Sequence, residues 1–139
     1  MLEASEFERA IPTQSPGSAG PRPVLIVDDS LSVRVALCRY VEQLGSNAVT
    51  AASGEEALTF VEAGVSAVIS DHLMFGCTGL ELLRRVRRFD LEVPFLLTST
   101  LFPEGVREAA YEAGASLVID KLKLIDELPD LMTRYGLCS

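Results

Sequence analysis

Five short apolar runs, four of them closed by a polar residue, recur along this chain between stretches of helical periodicity, and this alternation limits the fold more than any other feature. The clearest case is the stretch Ala67 to Gly79, AVISDHLMFGCTG. Its β-branched apolar residues stop on Ser70 and Asp71, a glycine-containing loop follows, and a helical pattern opens at Leu80. A carboxylate ending an apolar strand is poor packing but a natural site, because open parallel sheets place their chemistry at the strand C-termini.

The same rhythm runs from Pro23 onward. Val24 to Val27 is continuously apolar, as a strand buried on both faces requires, and it ends on Asp28 and Asp29. Ser30 is placed to cap a helix carrying Val33, Leu37, Val41 and Leu44 on one face, which Gly45 stops. Ala48 to Ala51 is a weak second strand. Ser53-Gly54-Glu55-Glu56 forms a capping-box pattern ahead of a helix with Ala57, Leu58 and Val61, ending near Gly64. The third strand is about Ser66 to Asp71, with a helix over Gly79 to Phe89 that turns Leu80, Leu83 and Val86 inward. Val93 to Thr98 or Ser99 is the fourth strand. A helix from Pro103 to Ala113 follows, with Pro103 suited to a first turn. Ser116 to Ile119 is the fifth strand, leading into Asp120 and Lys121. The last helix is expected over Asp126 to Tyr135, with Pro129 tolerated in its first turn.

Alternating strands and helices with short connections predict a doubly wound α/β domain. Its expected form is a five-stranded parallel sheet in three α/β/α layers, a flavodoxin-like (βα)5 fold. At 139 residues one such domain is the simplest reading. Residues 1 to 22, with their Ser-Pro-Gly-rich end, read as a flexible tail before a folded domain at 23 to 139.

In such a sheet the strand ends share one edge. Asp28 and Asp29, Asp71, Thr98 or Ser99, and Lys121 are all delivered there. Three carboxylates in one crevice repel each other and call for a cation. Mg²⁺ suits them, with Mn²⁺ as an alternative, because it takes a few carboxylate oxygens and keeps positions open for phosphate oxygens. A lysine and a hydroxyl beside the metal then point to a phosphoryl group as the occupant. An aspartate can attack phosphorus to form an acyl phosphate while the metal, the lysine and the hydroxyl hold the oxygens.

These residues in this order resemble the receiver domain of bacterial two-component response regulators. The motifs are Val24-Leu25-Ile26-Val27-Asp28-Asp29-Ser30, Asp71-His72-Leu73-Met74 with Gly79, Pro94-Phe95-Leu96-Leu97-Thr98-Ser99, and Asp120-Lys121. The resemblance spans about residues 22 to 136 and implies a CheY-like fold. It assigns Asp71 as phosphoacceptor, Asp28 and Asp29 as the acidic pair, Lys121 as the family's lysine, and the Leu73 backbone carbonyl as a further metal ligand. Five residues on from Pro94 and 22 back from Lys121, the family's hydroxyl falls on Ser99 ahead of Thr98. A sensor histidine kinase or histidine phosphotransfer protein is the implied donor, and an unidentified protein the downstream target. The protein is then a signalling domain and not an enzyme, beyond handling its own phosphoryl group.

Four positions depart from the family pattern. Phe75 and Leu122 replace prolines, and without a proline at 122 no cis bond is expected there. Val118 replaces an aromatic residue that commonly swings inward on phosphorylation, and Thr100 replaces an alanine. Leu73 and Leu101 stand where polar groups often orient an attacking water, so a long-lived phosphorylated state is expected.

Composition fits this reading. Net charge is −8, from 20 acidic and 12 basic residues, which argues against nucleic acid or anionic membrane as a partner. The cysteines Cys38, Cys77 and Cys138 have no metal-ligand spacing, and neither a secretory signal nor a membrane-spanning run is present, so a cytoplasmic protein is expected. Arg84, Arg85, Arg87 and Arg88 read as a solvated face, and His72 and Cys77 as packing residues. Two rival functions remain. A phosphatase or phosphotransferase acting on small molecules would need a second acid two residues after Asp71, where Leu73 stands. A pseudo-receiver would bind partners without phosphorylation.

Overall fold

A computed structural model describes residues 21–137, so all but the last two residues of the tail expected at 1 to 22 lie outside the described residues. Five strands, β1 (Val24–Val27), β2 (Ala48–Ala51), β3 (Ala67–Asp71), β4 (Phe95–Ser99) and β5 (Leu117–Asp120), form one sheet. Its order is β2-β1-β3-β4-β5, and every pairing is parallel. The helices between and after them are α1 (Leu31–Gln43), α2 (Gly54–Ala63), α3 (Gly79–Arg87), α4 (Val106–Glu112) and α5 (Lys121–Arg134).

Alternation along the strands explains the three layers. Val24, Ile26, Ile69 and Leu96 join Leu37 and Val41 of α1 and Leu124, Leu128, Leu131 and Met132 of α5 on one face. Leu25, Val27, Val68, Phe95 and Leu97 face Ala57 and Val61 of α2, Leu82, Leu83 and Val86 of α3, and Ala110 of α4. Both faces of β1, β3 and β4 are therefore covered, which is why these strands are apolar runs rather than alternating ones. Each fully buried Leu or Phe contributes about 1.5–3 kcal/mol by leaving water.

The expected caps form at Ser30, whose Oγ accepts from Val33 N at 3.5 Å, and at Ser53, whose Oγ accepts from Glu56 N at 3.2 Å. The box with both reciprocal bonds is at Thr78 and Glu81, at the start of α3.

Three boundaries differ from expectation. Residues 103 to 105 form a turn and not a helical start, because Gly105 takes φ +84° and Val106 N bonds back to Pro103 O at 3.2 Å. β4 begins at Phe95 and not Val93, since Asp90 Oδ1 draws Glu92 N and Val93 N into a turn at 3.0 and 2.9 Å. The largest difference is α5, which begins at Lys121 directly after β5, so that Pro129 sits in the helix interior. An interior proline costs about 3 kcal/mol by removing an N–H and crowding the preceding turn. Leu124, Leu128, Leu131 and Met132, all buried, outweigh it by anchoring the helix to the sheet. No peptide bond among the described residues is cis, as the leucine at 122 led one to expect.

Candidate functional site

The C-terminal edge of β1, β3 and β5 brings together Asp28, Asp29, Asp71 and Lys121. Asp28 is 2% exposed; its Oδ1 accepts from Ser30 N at 2.9 Å and its Oδ2 accepts from Lys121 Nζ at 2.9 Å. Arg34 of α1 donates to the Asp28 backbone oxygen at 2.8 Å and holds the β1–α1 turn. Asp29 points out to solvent, and its Oδ2 accepts from Phe75 N at 3.0 Å, so it ties the β3–α3 loop to β1. Asp71 is 7% exposed and lies 3.4 Å from Lys121 Nζ. Carboxylate oxygens of Asp28, Asp29 and Asp71 all fall within 4.8 Å of one another.

Electrostatics follow from this crowding. Burial pushes the Asp71 carboxyl above the ordinary aspartate range, and the Asp28 charge adds to this, while Lys121 opposes both. For Lys121, burial is the largest single influence and disfavours the cation. The bonds and charges of Asp28 and Asp71 together overcome it, and its pKa rises. Lys121 therefore stays charged, and one ammonium serves two buried carboxylates.

Gly79 makes the loop geometry possible. A Cβ there would collide with the Asp71 carbonyl oxygen and the Leu97 side chain and come within 3.0 Å of His72 Cα. Gly79 N instead donates to His72 O at 2.9 Å, which starts α3 directly behind Asp71.

The two hydroxyls differ. Thr98 is the register partner of Asp71 across the β3–β4 ladder, and its Oγ1 is buried without a hydrogen-bond partner among the described residues. Ser99, at the strand end, donates through Oγ to Leu101 O at 2.9 Å and accepts from Leu101 N at 3.4 Å. Leu73 lies two residues past Asp71 with its side chain half exposed, and Leu101 is 73% exposed. The expected packing role of His72 agrees with its burial: it is 4% exposed, and its Nδ1 accepts from Leu80 N at 3.4 Å. Burial lowers its pKa, against a smaller opposing pull from Glu81. Of the four arginines, Arg84, Arg85 and Arg88 are exposed as expected. Arg87 is a tether, donating to Gly114 O at 3.0 and 2.8 Å and to Asp90 O at 3.0 Å.

Three contacts had no sequence signal. These are the Arg34 bond to Asp28, the Phe75 N–H bond to Asp29, and a cluster in which Arg107 lies over the Phe102 ring at 4.6 Å. Each joins residues with no shared periodicity.

A sequence model of the response regulator receiver domain matches residues 24–133. The chain belongs to the response regulator receiver family. Among its relatives, the cyclic di-GMP phosphodiesterase response regulator RpfG of Xanthomonas campestris is 36% identical over 104 residues, covering 71% of this chain and 27% of that protein. The chain spans a quarter to a half of the length of the curated relatives it matches. A receiver protein from Pseudomonas putida superposes with TM-score 0.77 at 25% identity, covering 84% of this chain and 99% of that one. The response regulator TrrA of Thermotoga maritima, solved with Mg²⁺ and BeF, superposes with TM-score 0.73 at 26% identity, covering 82% and 98%.

Receivers bind Mg²⁺ at an acidic pocket, and the cluster of this receiver fits one: three carboxylates offer hard oxygen donors within 4.8 Å, at the sheet edge. As a family, receivers take part in two-component signalling with histidine kinases or phosphotransfer proteins and with effectors. No helix among the described residues is long and apolar enough to cross a membrane.

Proposed function

We propose that this receiver accepts a phosphoryl group on Asp71 from a histidine kinase or histidine phosphotransfer protein and signals through protein contacts. The observation that carries the reading is the placement of Lys121 Nζ, 2.9 Å from Asp28 and 3.4 Å from Asp71, inside the three-carboxylate cluster. An isolated surface aspartate has no use for such surroundings, whereas a phosphoryl acceptor requires them.

The chemistry balances without an added base. An Asp71 carboxylate oxygen attacks phosphorus, the P–N bond to the donor imidazole breaks, and the nitrogen leaves with the electron pair and takes a proton. Asp28, Asp29, Asp71 and the Leu73 carbonyl would hold Mg²⁺, or Mn²⁺ in its place, and the ion would neutralise charge on the transferring group. Lys121 is positioned to turn from the carboxylates toward a phosphoryl oxygen. The Ser99 hydroxyl would donate to another.

Incubation with Mg²⁺ and acetyl phosphate, read by intact mass, tests the proposal. One added phosphoryl group is expected, absent without Mg²⁺ and absent in Asp71→Asn. The pseudo-receiver reading draws on Val118, Leu122 and a Ser99 hydroxyl that bonds to Leu101. No uptake from acetyl phosphate or from any kinase would favour it.

A further inference from the structure

Basic side chains are scarce in this chain, 12 against 20 acidic ones, yet Arg84, Arg85, Arg87 and Arg88 crowd into a single stretch. Arg87 is committed to Gly114 O and Asp90 O. Arg84, Arg85 and Arg88 are exposed on the outer side of α3. They are neighbours there, because residues three and four apart share a helix face. Glu81 lies one turn earlier, but its carboxylate already accepts from Thr78 N at 3.5 Å and from Thr78 Oγ1 at 3.1 Å. No ion pair among the described residues includes any of these three arginines. Like charges so close repel one another, so the face favours an acidic occupant. Just past α3, Phe89 and Leu91 are 50% and 79% exposed, so apolar surface adjoins the basic one.

The chain itself carries a segment of matching chemistry. Residues 2 to 11 read LEASEFERAI, with acidic Glu3, Glu6 and Glu8 and apolar Leu2, Phe7 and Ile11. Arg9 leaves the segment net acidic. The described chain also begins beside the patch. A Cβ at Gly64, which closes α2, would come within 3.3 Å of the Arg22 guanidinium. Asp90, between Phe89 and Leu91, is held below the usual aspartate range first by bonds from Glu92 N and Val93 N, and further by the charges of Arg87 and Arg22. Arg22 therefore lies where α2 and α3 end. Residues 12 to 20 span at most about 30 Å. The nine residues of α3 are about 14 Å long, so the segment reaches the whole face within one molecule.

We infer that residues 2 to 11 dock on the outer face of α3, with Glu3, Glu6 and Glu8 against Arg84, Arg85 and Arg88 and the apolar side chains against Phe89 and Leu91. Each exposed ion pair is weak and is screened by salt. The short tether offsets this, because it holds the segment at an effective concentration on the order of 1 mM. Contacts that bind a free peptide with a Kd of about 100 µM then cover the face about nine-tenths of the time. The α3 face is thereby closed to other acidic partners until the segment leaves it. The inference does not depend on the phosphoacceptor reading of Asp71.

The test is hydrogen exchange of the full chain, read by mass over peptides from residues 2 to 11. At low salt these amides should exchange about tenfold more slowly than in a synthetic peptide of the same sequence, the factor set by nine-tenths coverage. The difference should shrink in about 0.5 M salt. Arg84→Glu combined with Arg88→Glu should abolish it, with the thermal midpoint verifying that these exposed changes leave the fold intact. Adding Glu6→Arg and Glu8→Arg to that variant should restore it. Exchange at the peptide's rate in wild type overturns the inference. So does slowing that survives both salt and the arginine changes, which puts the segment elsewhere. Slowing that grows with protein concentration, together with a dimer by light scattering, gives the face to a second copy and overturns the intramolecular assignment.

Discussion

Replacing Asp71 with asparagine should stabilise the metal-free protein even as it abolishes phosphorylation. The structure sets the size of the effect. At an effective dielectric constant of about 20, Lys121 at 3.4 Å attracts the Asp71 charge by about 5 kcal/mol. Asp28 and Asp29, each within 4.8 Å, repel it by about 3.5 kcal/mol apiece, before any cost of burying the carboxylate. The balance is unfavourable by about 2 kcal/mol, reduced to about 1–2 kcal/mol because Asp29 faces solvent. The sign of the pH dependence follows from the raised pKa of Asp71, caused first by burial and then by Asp28, with Lys121 opposing. The folded protein holds this proton more tightly than the unfolded chain does, whose aspartates titrate near about 3.9. The penalty is therefore absent below about pH 4 and grows as pH rises through the folded-state value. Thermal unfolding in EDTA should place Asp71→Asn about 4–8 °C above wild type at pH 7, with the gap closing on acidification. Mg²⁺ should raise the wild-type midpoint more than that of the variant. A variant less stable than wild type at pH 7 without metal, or an advantage that does not change with pH, would refute this account of the site.

Four further outcomes are expected. Thr98→Val removes a buried hydroxyl that has no partner, so it should leave phosphoryl uptake intact and cost no stability, or add about 1 kcal/mol, by chemical denaturation. Ser99→Ala should slow uptake at least tenfold, and the reverse pattern in the two variants would move the phosphoryl-binding hydroxyl to Thr98. Leu73→Asn, Leu101→Glu and the double variant should shorten the lifetime of the phosphorylated protein, measured by decay of the added mass, because the receiver pattern puts these two leucines at positions where polar groups often orient an attacking water; unchanged lifetimes would dismiss the shielding idea. Gly79→Ala should cost about 1–3 kcal/mol in denaturant unfolding, since the new methyl meets backbone at Asp71 and His72.

The sheet was legible because burial on both faces writes itself as apolar runs, and Val24–Val27 and Ala67–Asp71 appear where the runs do. The acidic cluster was legible for a related reason: polar residues that end apolar strands have few roles other than a site. Pro129 was misplaced because local preference was weighed without tertiary burial, and the leucines of α5 settle the matter against the proline. The start of α4 was missed because Pro103 signals a helix, while the left-handed Gly105 two residues later closes a turn. The Ser99 bond to Leu101 and the Arg107 bonds to Val118 and Asp120 were invisible, because the first depends on the backbone path of the β4–α4 loop and the others on how α4 lies against β5, and none of them on spacing.

The central claim is that Asp71 is the residue that takes the phosphoryl group. An acyl phosphate is reduced by borohydride to the alcohol, which turns a phosphorylated aspartate into homoserine. The protein treated with Mg²⁺ and acetyl phosphate, then borohydride, and mapped by peptide mass should carry homoserine at position 71 and aspartate at positions 28 and 29. Homoserine at position 28 or 29, or at none of the three, would contradict it.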